Sequence, residues 1–213
     1  MGRRLIWLSI FAVAMAYMES AVVAYLREIY YPQGFAFPIV VIPPRMALIE
    51  IGREAATIAM LAAAAVLAGA DRWERFLHFC LAFGIWDIFY YAWLRVFLRW
   101  PPSLLTWDIL FLIPVPWIGP VLAPVLISAA MIAGSFWLLA EKARGTLLRF
   151  PAPLWALAVA GGVLVVLSFT LDFGVVVKGL QPPPFRWGLY LTGFALGAVA
   201  LIAGVRRLSH PQK

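Results

Sequence analysis

The chain has 213 residues, 64% of them hydrophobic and 13% charged, whereas soluble domains carry roughly 25% charged residues. A water-soluble core of this length cannot hide so much apolar surface, which excludes a soluble enzyme. The net charge of +7 sits in short loops beside apolar runs, the pattern of membrane topology and not of a continuous basic face, so no nucleic-acid partner is expected.

About 20 apolar residues cross the hydrocarbon, which leaves room for about six crossings and no separate soluble domain. The expected fold is an all-α polytopic membrane helix bundle in a single transmembrane domain, 1–213. Its predicted spans cover 5–26, 46–70, 76–98, 118–140, 152–177 and 187–205. The first run follows Arg3 and Arg4 and resembles a signal peptide, with Ala14-Met15-Ala16 as a cleavage motif. It continues apolar to Leu26, however, so a retained signal-anchor helix is expected. The loop from Arg27 to Arg45 holds Pro32, Pro38, Pro43 and Pro44 and reads as extended chain at the interface.

In the second span Glu50, Arg53 and Glu54 fall at i, i+3 and i+4, on one helix face. The apolar remainder, Ala55 to Ala70, has 16 residues, roughly 24 Å of helix against ~30 Å of hydrocarbon. The helix must therefore draw Arg53 and Glu54 below the surface, to line a polar cavity. The alternative is an intrahelical ion pair in the head-group layer. Asp71 to Arg75 forms a tight polar turn.

The third span carries His78, Cys80, Asp87, Tyr90, Tyr91 and Arg95. Asp87 lies 12 residues past Arg75, roughly 18 Å deep and out of reach of the surface. It must pair with an Arg, take a proton or bind a cation, and Arg53 is the expected partner. Tyr90 and Tyr91 flank that face, or else sit in packing seams.

Pro101 to Ala140 has 40 residues and one charge, Asp108. With six spans the loops on the side of the termini hold Arg3, Arg4, Arg72, Arg75, Lys142, Arg144, Arg149, Arg206, Arg207 and Lys213, and the other side holds Arg27, Arg45, Arg95, Arg99, Lys178 and Arg186. A seventh span at 102–117 would invert that ten-to-six excess. The positive-inside rule thus favours cytoplasmic termini and a re-entrant or interfacial segment over about 104–117. Trp100, Trp107, Phe111 and Trp117 make this segment an aromatic belt, or a lid apolar enough to admit lipid tails. Further on, Glu141 to Arg149 is a basic connection. Pro182-Pro183-Pro184 stiffens the last loop.

By helical rise Glu19, Glu54 and Asp87 occupy the middle and outer membrane. The candidate site, binding or catalytic, is Glu50, Arg53, Glu54 and Asp87, with Glu19, Tyr90, Tyr91, Asp108 and His78 as secondary members. No haem is expected, because His78 is alone in the membrane and His210 lies in the polar tail. No dinuclear-metal Glu-x-x-His motif is present. A hard divalent cation held by Glu19, Glu50, Glu54, Asp87 and Asp108 is the metal chemistry these residues could support. His78 is expected to be a packed, hydrogen-bonded histidine. Ser20, Ser103 and Thr106 have no histidine at sensible spacing, and no nucleophile elbow, Walker loop or dinucleotide fingerprint occurs. A single cysteine, Cys80, forbids an intrachain disulfide.

Three functions follow. The preferred one is a membrane-embedded enzyme acting on a lipid or isoprenoid head group. The others are a structural subunit of a larger complex, docking along Gly161, Gly162, Gly193 and Gly197, and a cation- or proton-coupled carrier or channel. Membrane lipids are the expected partners, with further copies of the chain or a membrane complex beside them. Fourteen Arg against three Lys and no Asn fit a GC-rich prokaryotic source, hence a bacterial inner membrane.

Overall fold

A computed structural model describes residues 2–40 and 42–209; His210 and Lys213 lie outside the described residues. The helices are α1 (Gly2–Tyr30), α2 (Pro44–Ala68), α3 (Arg72–Leu98), α4 (Leu122–Ala143), α5 (Ala152–Thr170), its short continuation α6 (Phe173–Val177) and α7 (Trp187–Ser209). Taking α5 and α6 as one, six are long and apolar enough to cross a membrane. The protein is a multi-pass membrane helix bundle.

Local chemistry sets the helix ends. Pro44 starts α2, where a missing N–H costs nothing. Gly69 follows α2 because a Cβ there would meet the Arg75 backbone. Asp71 caps α3 by accepting the Glu74 N–H at 3.0 Å, and the Glu74 carboxylate accepts from Ala70 N, just before the cap, at 2.8 Å. Arg99 ends α3 in the left-handed region, φ 54°, just before Trp100-Pro101-Pro102.

Packing makes α3 the central helix, with α1, α2 and α4 around it and α5 against α7. Small residues allow the close approaches. A Cβ on Gly161 would stand 2.6 Å from the Gly193 carbonyl oxygen, so these two glycines of the expected seam pack inside the chain, between α5 and α7, while Gly162 is exposed. Leu8, Ala12, Ala16, Leu61, Leu81, Ala82 and Ile85 form a dry layer between α1, α2 and α3. The start of α1 and the end of α7 lie at one end of the bundle. Arg4 donates to the Ala68 carbonyl at 3.4 Å, and Val205 packs with Leu77, Leu138 and Leu148. At the opposite end Gln181 Nε2 donates to Phe37 O at 2.6 Å.

At the end bearing the termini Asp71 also meets Lys142 of α4, 2.5 Å away. That ammonium, helped by the Glu74 amide, holds the Asp71 carboxyl below its ordinary 3.8. Because the folded value is the lower one, the stabilisation is complete above the ordinary value and is lost as pH falls through the folded value. Asp71→Asn keeps a cap but no charge. It is expected to be less stable than the parent at neutral pH by about 0.2–1 kcal/mol, the range for exposed pairs. The gap should close in acid melts below the ordinary carboxylate range; a gap constant with pH would show that the pair contributes nothing.

The Pro/Trp-rich segment is an antiparallel hairpin of β1 (Trp107–Phe111) and β2 (Trp117–Pro120), pairing Trp107 with Pro120, Asp108 with Gly119 and Ile109 with Ile118. Sequence reading expected a re-entrant or interfacial piece without specifying strands. It also began the fourth span at 118, whereas 117–120 belong to β2. Strands of five and four residues fall far short of the ~9–11 needed to cross a bilayer. The hairpin nevertheless dips into the bundle. Phe111 stacks on Phe83 with centroids 6.2 Å apart, and Phe83 lies only 11 residues into α3, roughly 16 Å along a helix of roughly 39 Å. Non-helical backbone is tolerated at such depth where protein covers it; here Trp117 stacks on Phe169 of α5, and Gly119 lies against Phe169 and Phe185 so tightly that a Cβ would come within 2.9 Å.

Candidate functional site

Four elements converge beneath the hairpin on a cavity of about 330 Å³. Glu19, Val23 and Arg27 come from α1, Glu50, Arg53, Glu54 and Thr57 from α2, Trp86, Asp87, Tyr90 and Tyr91 from α3, and Asp108 to Leu112 from the hairpin. The four predicted core residues share one space, joined by Glu19, Tyr90, Tyr91 and Asp108. His78 is not among them. It is buried in a second cavity of about 220 Å³ with Arg4, Glu74 and Lys142, on the far side of the dry layer. It is packed as expected.

The polar floor is built between helices. Arg53 forms ion pairs with Glu19 of α1 and, through Nε at 2.8 Å, with Glu50 of its own helix. Thr57, one turn on, donates to the other oxygen of Glu19 at 2.6 Å. Glu54 turns to the hairpin and accepts the Leu112 N–H at 2.8 Å, so a carboxylate on α2 satisfies a backbone donor that has no strand partner. Asp87 accepts from Ser128 of α4 at 2.8 Å. Arg27 donates to Asp108 at 2.8 Å, and its guanidinium lies 3.7 Å from the centre of the Trp100 ring.

Two expectations are corrected. No ion pair joins Arg53 to Asp87 among the described residues; Arg53 is drawn instead to Glu19, which faces it from α1. Arg27 is not a loop cation. α1 runs to Tyr30, the first breaker being Pro32, and this carries Arg27 into the buried wall at 7% exposure. The breaker position could have revealed Arg27, and the i+4 spacing from Arg53 could have revealed Thr57. Nothing local points to Ser128 or the Leu112 amide.

No group of three or more His, Cys, Asp or Glu side chains among the described residues is arranged to hold a metal ion. The carboxylates are distributed instead over Arg53, Arg27, Ser128, Thr57 and a backbone amide. Glu19, Glu50 and Asp108 are charge-compensated in this way. Asp87 and Glu54 have neutral hydrogen-bond donors and no ion pair among the described residues, which leaves them able to exchange a proton with a guest. The rest of the wall is apolar: Val23, Leu26, Ile39, Ile42, Leu110 and Pro116. One chamber thus combines charged and aliphatic lining. No protein-family model, curated protein or solved structure matches the chain.

Proposed function

We propose that the protein is a membrane-embedded enzyme acting on the polar head group of a lipid or isoprenoid. The observation that carries this reading is the amphipathic cavity itself, about 330 Å³ and lined both by carboxylates and guanidiniums and by aliphatic side chains. A lipid has that same combination. α1 and α2 are both held by α3 and touch each other sparsely, so the chain of the substrate enters between them. Arg53 binds and orients, and Asp87 and Glu54 exchange protons with the head group. The excess of Arg and Lys at the end bearing the termini supports cytoplasmic termini, which sets the site in the outer half of the membrane. The Arg-rich, Asn-free composition supports a bacterial inner membrane.

Two observations favour this over the other functions. A carrier needs a polar path through the bundle, and the layer of Leu8, Ala12, Leu61 and Leu81 lies between the two cavities. A docking subunit needs an exposed seam of small residues, and Gly161 and Gly193 face each other inside. The test compares lipid extracts, by head-group class, of cells expressing the parent, Asp87→Asn and Glu54→Gln at equal levels of folded protein. The parent is expected to shift one head-group class about a hundredfold more than either variant, the low end for removing a general acid or base. Identical extracts from all three would overturn the enzyme reading.

A further inference from the structure

Where the α5–α7 pair meets α3 and α4, an apolar groove of about 170 Å³ opens on the flank of the bundle. Its wall is aromatic. Trp73 of α3 stacks on Trp155 of α5 with centroids 5.9 Å apart, and Phe150 lies 5.3 Å from the Trp73 ring. Trp155 is 44% exposed, an exposure that in a membrane faces acyl chains. Ala158, Gly197 and Ala200 line the groove as well. A Cβ on Gly197 would meet nothing within 4 Å, so its missing side chain is not required by a neighbouring helix and leaves open space instead.

Cations border one end of this groove. Arg72 precedes Trp73 and Arg149 precedes Phe150. Arg207 lies seven residues past Ala200 and three past Gly204, on their face of α7. Phe150 packs against Gly204, which brings Arg149 to the last turns of the same helix. All three arginines are exposed. The carboxylates at this end, Asp71, Glu74 and Glu141, are engaged by Lys142 and Arg144, and no ion pair reaches Arg72, Arg149 or Arg207 among the described residues. Length agrees with charge. Gly197 to Arg207 is roughly 15 Å of helix, and one leaflet supplies half of the ~30 Å hydrocarbon.

The charge selects the head group. A zwitterionic head brings an ammonium to unpaired guanidiniums, and a neutral head leaves them unpaired. A phosphodiester without an ammonium satisfies them. We propose that the groove binds an anionic phospholipid of the leaflet at the end that bears the start of α1 and the end of α7. One acyl chain lies along Trp155 and over Gly197, and the phosphodiester sits among Arg72, Arg149 and Arg207. This site is separate from the cavity beneath the hairpin and does not rest on the function read there.

The test titrates the full-length protein in neutral detergent and reads a saturable rise in melting temperature. The probes are dioleoylphosphatidylglycerol, dioleoylphosphatidylcholine and glycerophosphoglycerol, the anionic head without its chains. Each basic side chain at a membrane surface contributes about fivefold in affinity, so the phosphatidylglycerol is expected to bind at least about tenfold more tightly than the phosphatidylcholine. Arg149→Gln with Arg207→Gln is expected to remove most of that gap. Arg3→Gln with Arg4→Gln, on α1, which does not line the groove, is expected to leave it. Gly197→Leu fills the groove and is expected to abolish saturable binding of both lipids; Ala158→Leu takes its place if that variant does not fold. Equal binding of the two lipids, or an equal loss of the gap in the α1 pair, overturns the anionic site. Undiminished lipid binding in the filled groove overturns its seat. Glycerophosphoglycerol binding as tightly as the lipid overturns the lipid in favour of a soluble phosphodiester. No saturable binding by any probe overturns the proposal entirely.

Discussion

Replacing Arg53 with Met is expected to destabilise the folded protein by about 3 kcal/mol, the lower end of the range for removing one partner of a buried ion pair. The lower end applies because the Arg53 side chain is 20% exposed, against 7% and 8% for Glu19 and Glu50. Removal leaves Glu19 with Thr57 alone and Glu50 with no ion-pair partner, both buried. Arg53→Lys should recover only part of the loss, because a single ammonium cannot span two carboxylates on different helices as a planar fork does. The triple variant Arg53→Met, Glu19→Gln, Glu50→Gln should recover most of it, since no uncompensated charge remains. Reversible unfolding in mixed micelles measures all three. A neutral Arg53→Met would mean that this network does not tie α1 to α2.

Asp108→Leu is expected to cost a similar amount by stranding Arg27, which packs against Trp100 and Phe35, beside a hairpin that has lost its tie to α1. Arg27→Met alone should cost as much, by stranding Asp108 at 1% exposure. The double variant should cost well under the sum, with a coupling energy of about 2–3 kcal/mol, the upper range for directly contacting groups. Strict additivity in the double-mutant cycle would show that the two groups do not stabilise each other. The variants should also differ in the hairpin: its Trp107 and Trp117 fluorescence should shift in either single variant before global unfolding, because the strands are anchored at Asp108.

Much of the site was legible because a charge in hydrocarbon has few solutions. Glu50, Arg53 and Glu54 announced a shared face by spacing alone, and helix length forced Arg53 and Glu54 inward. Glu19, Glu54 and Asp87 could be assigned to the same slab by counting residues from the loops. Pairing was less legible. Asp87 was matched to Arg53 because both were deep. Depth is a one-dimensional coordinate, though, and the partner is chosen by azimuth around each helix and by which helix is the neighbour. α1 presents Glu19 to Arg53, and α4 presents Ser128 to Asp87. The hairpin was invisible for a related reason. Pro114, Pro116 and Pro120 forbid a helix but do not specify strands, and the two short strands are held by Phe83, Phe169 and Glu54, residues distant in sequence.

The sequence by itself determined the solvent, the number of crossings and the depth of Glu19, Glu54 and Asp87, because transfer to hydrocarbon depends on composition and length alone. Only the tertiary structure decided who neutralises whom, that Arg27 belongs to the wall, that His78 does not, and that the outer segment reaches mid-bundle as a hairpin. Those outcomes depend on helix rotation and neighbour choice, which are set by close contacts such as Gly161 against Gly193 and Phe111 against Phe83. Packing of that kind joins residues that no local spacing relates.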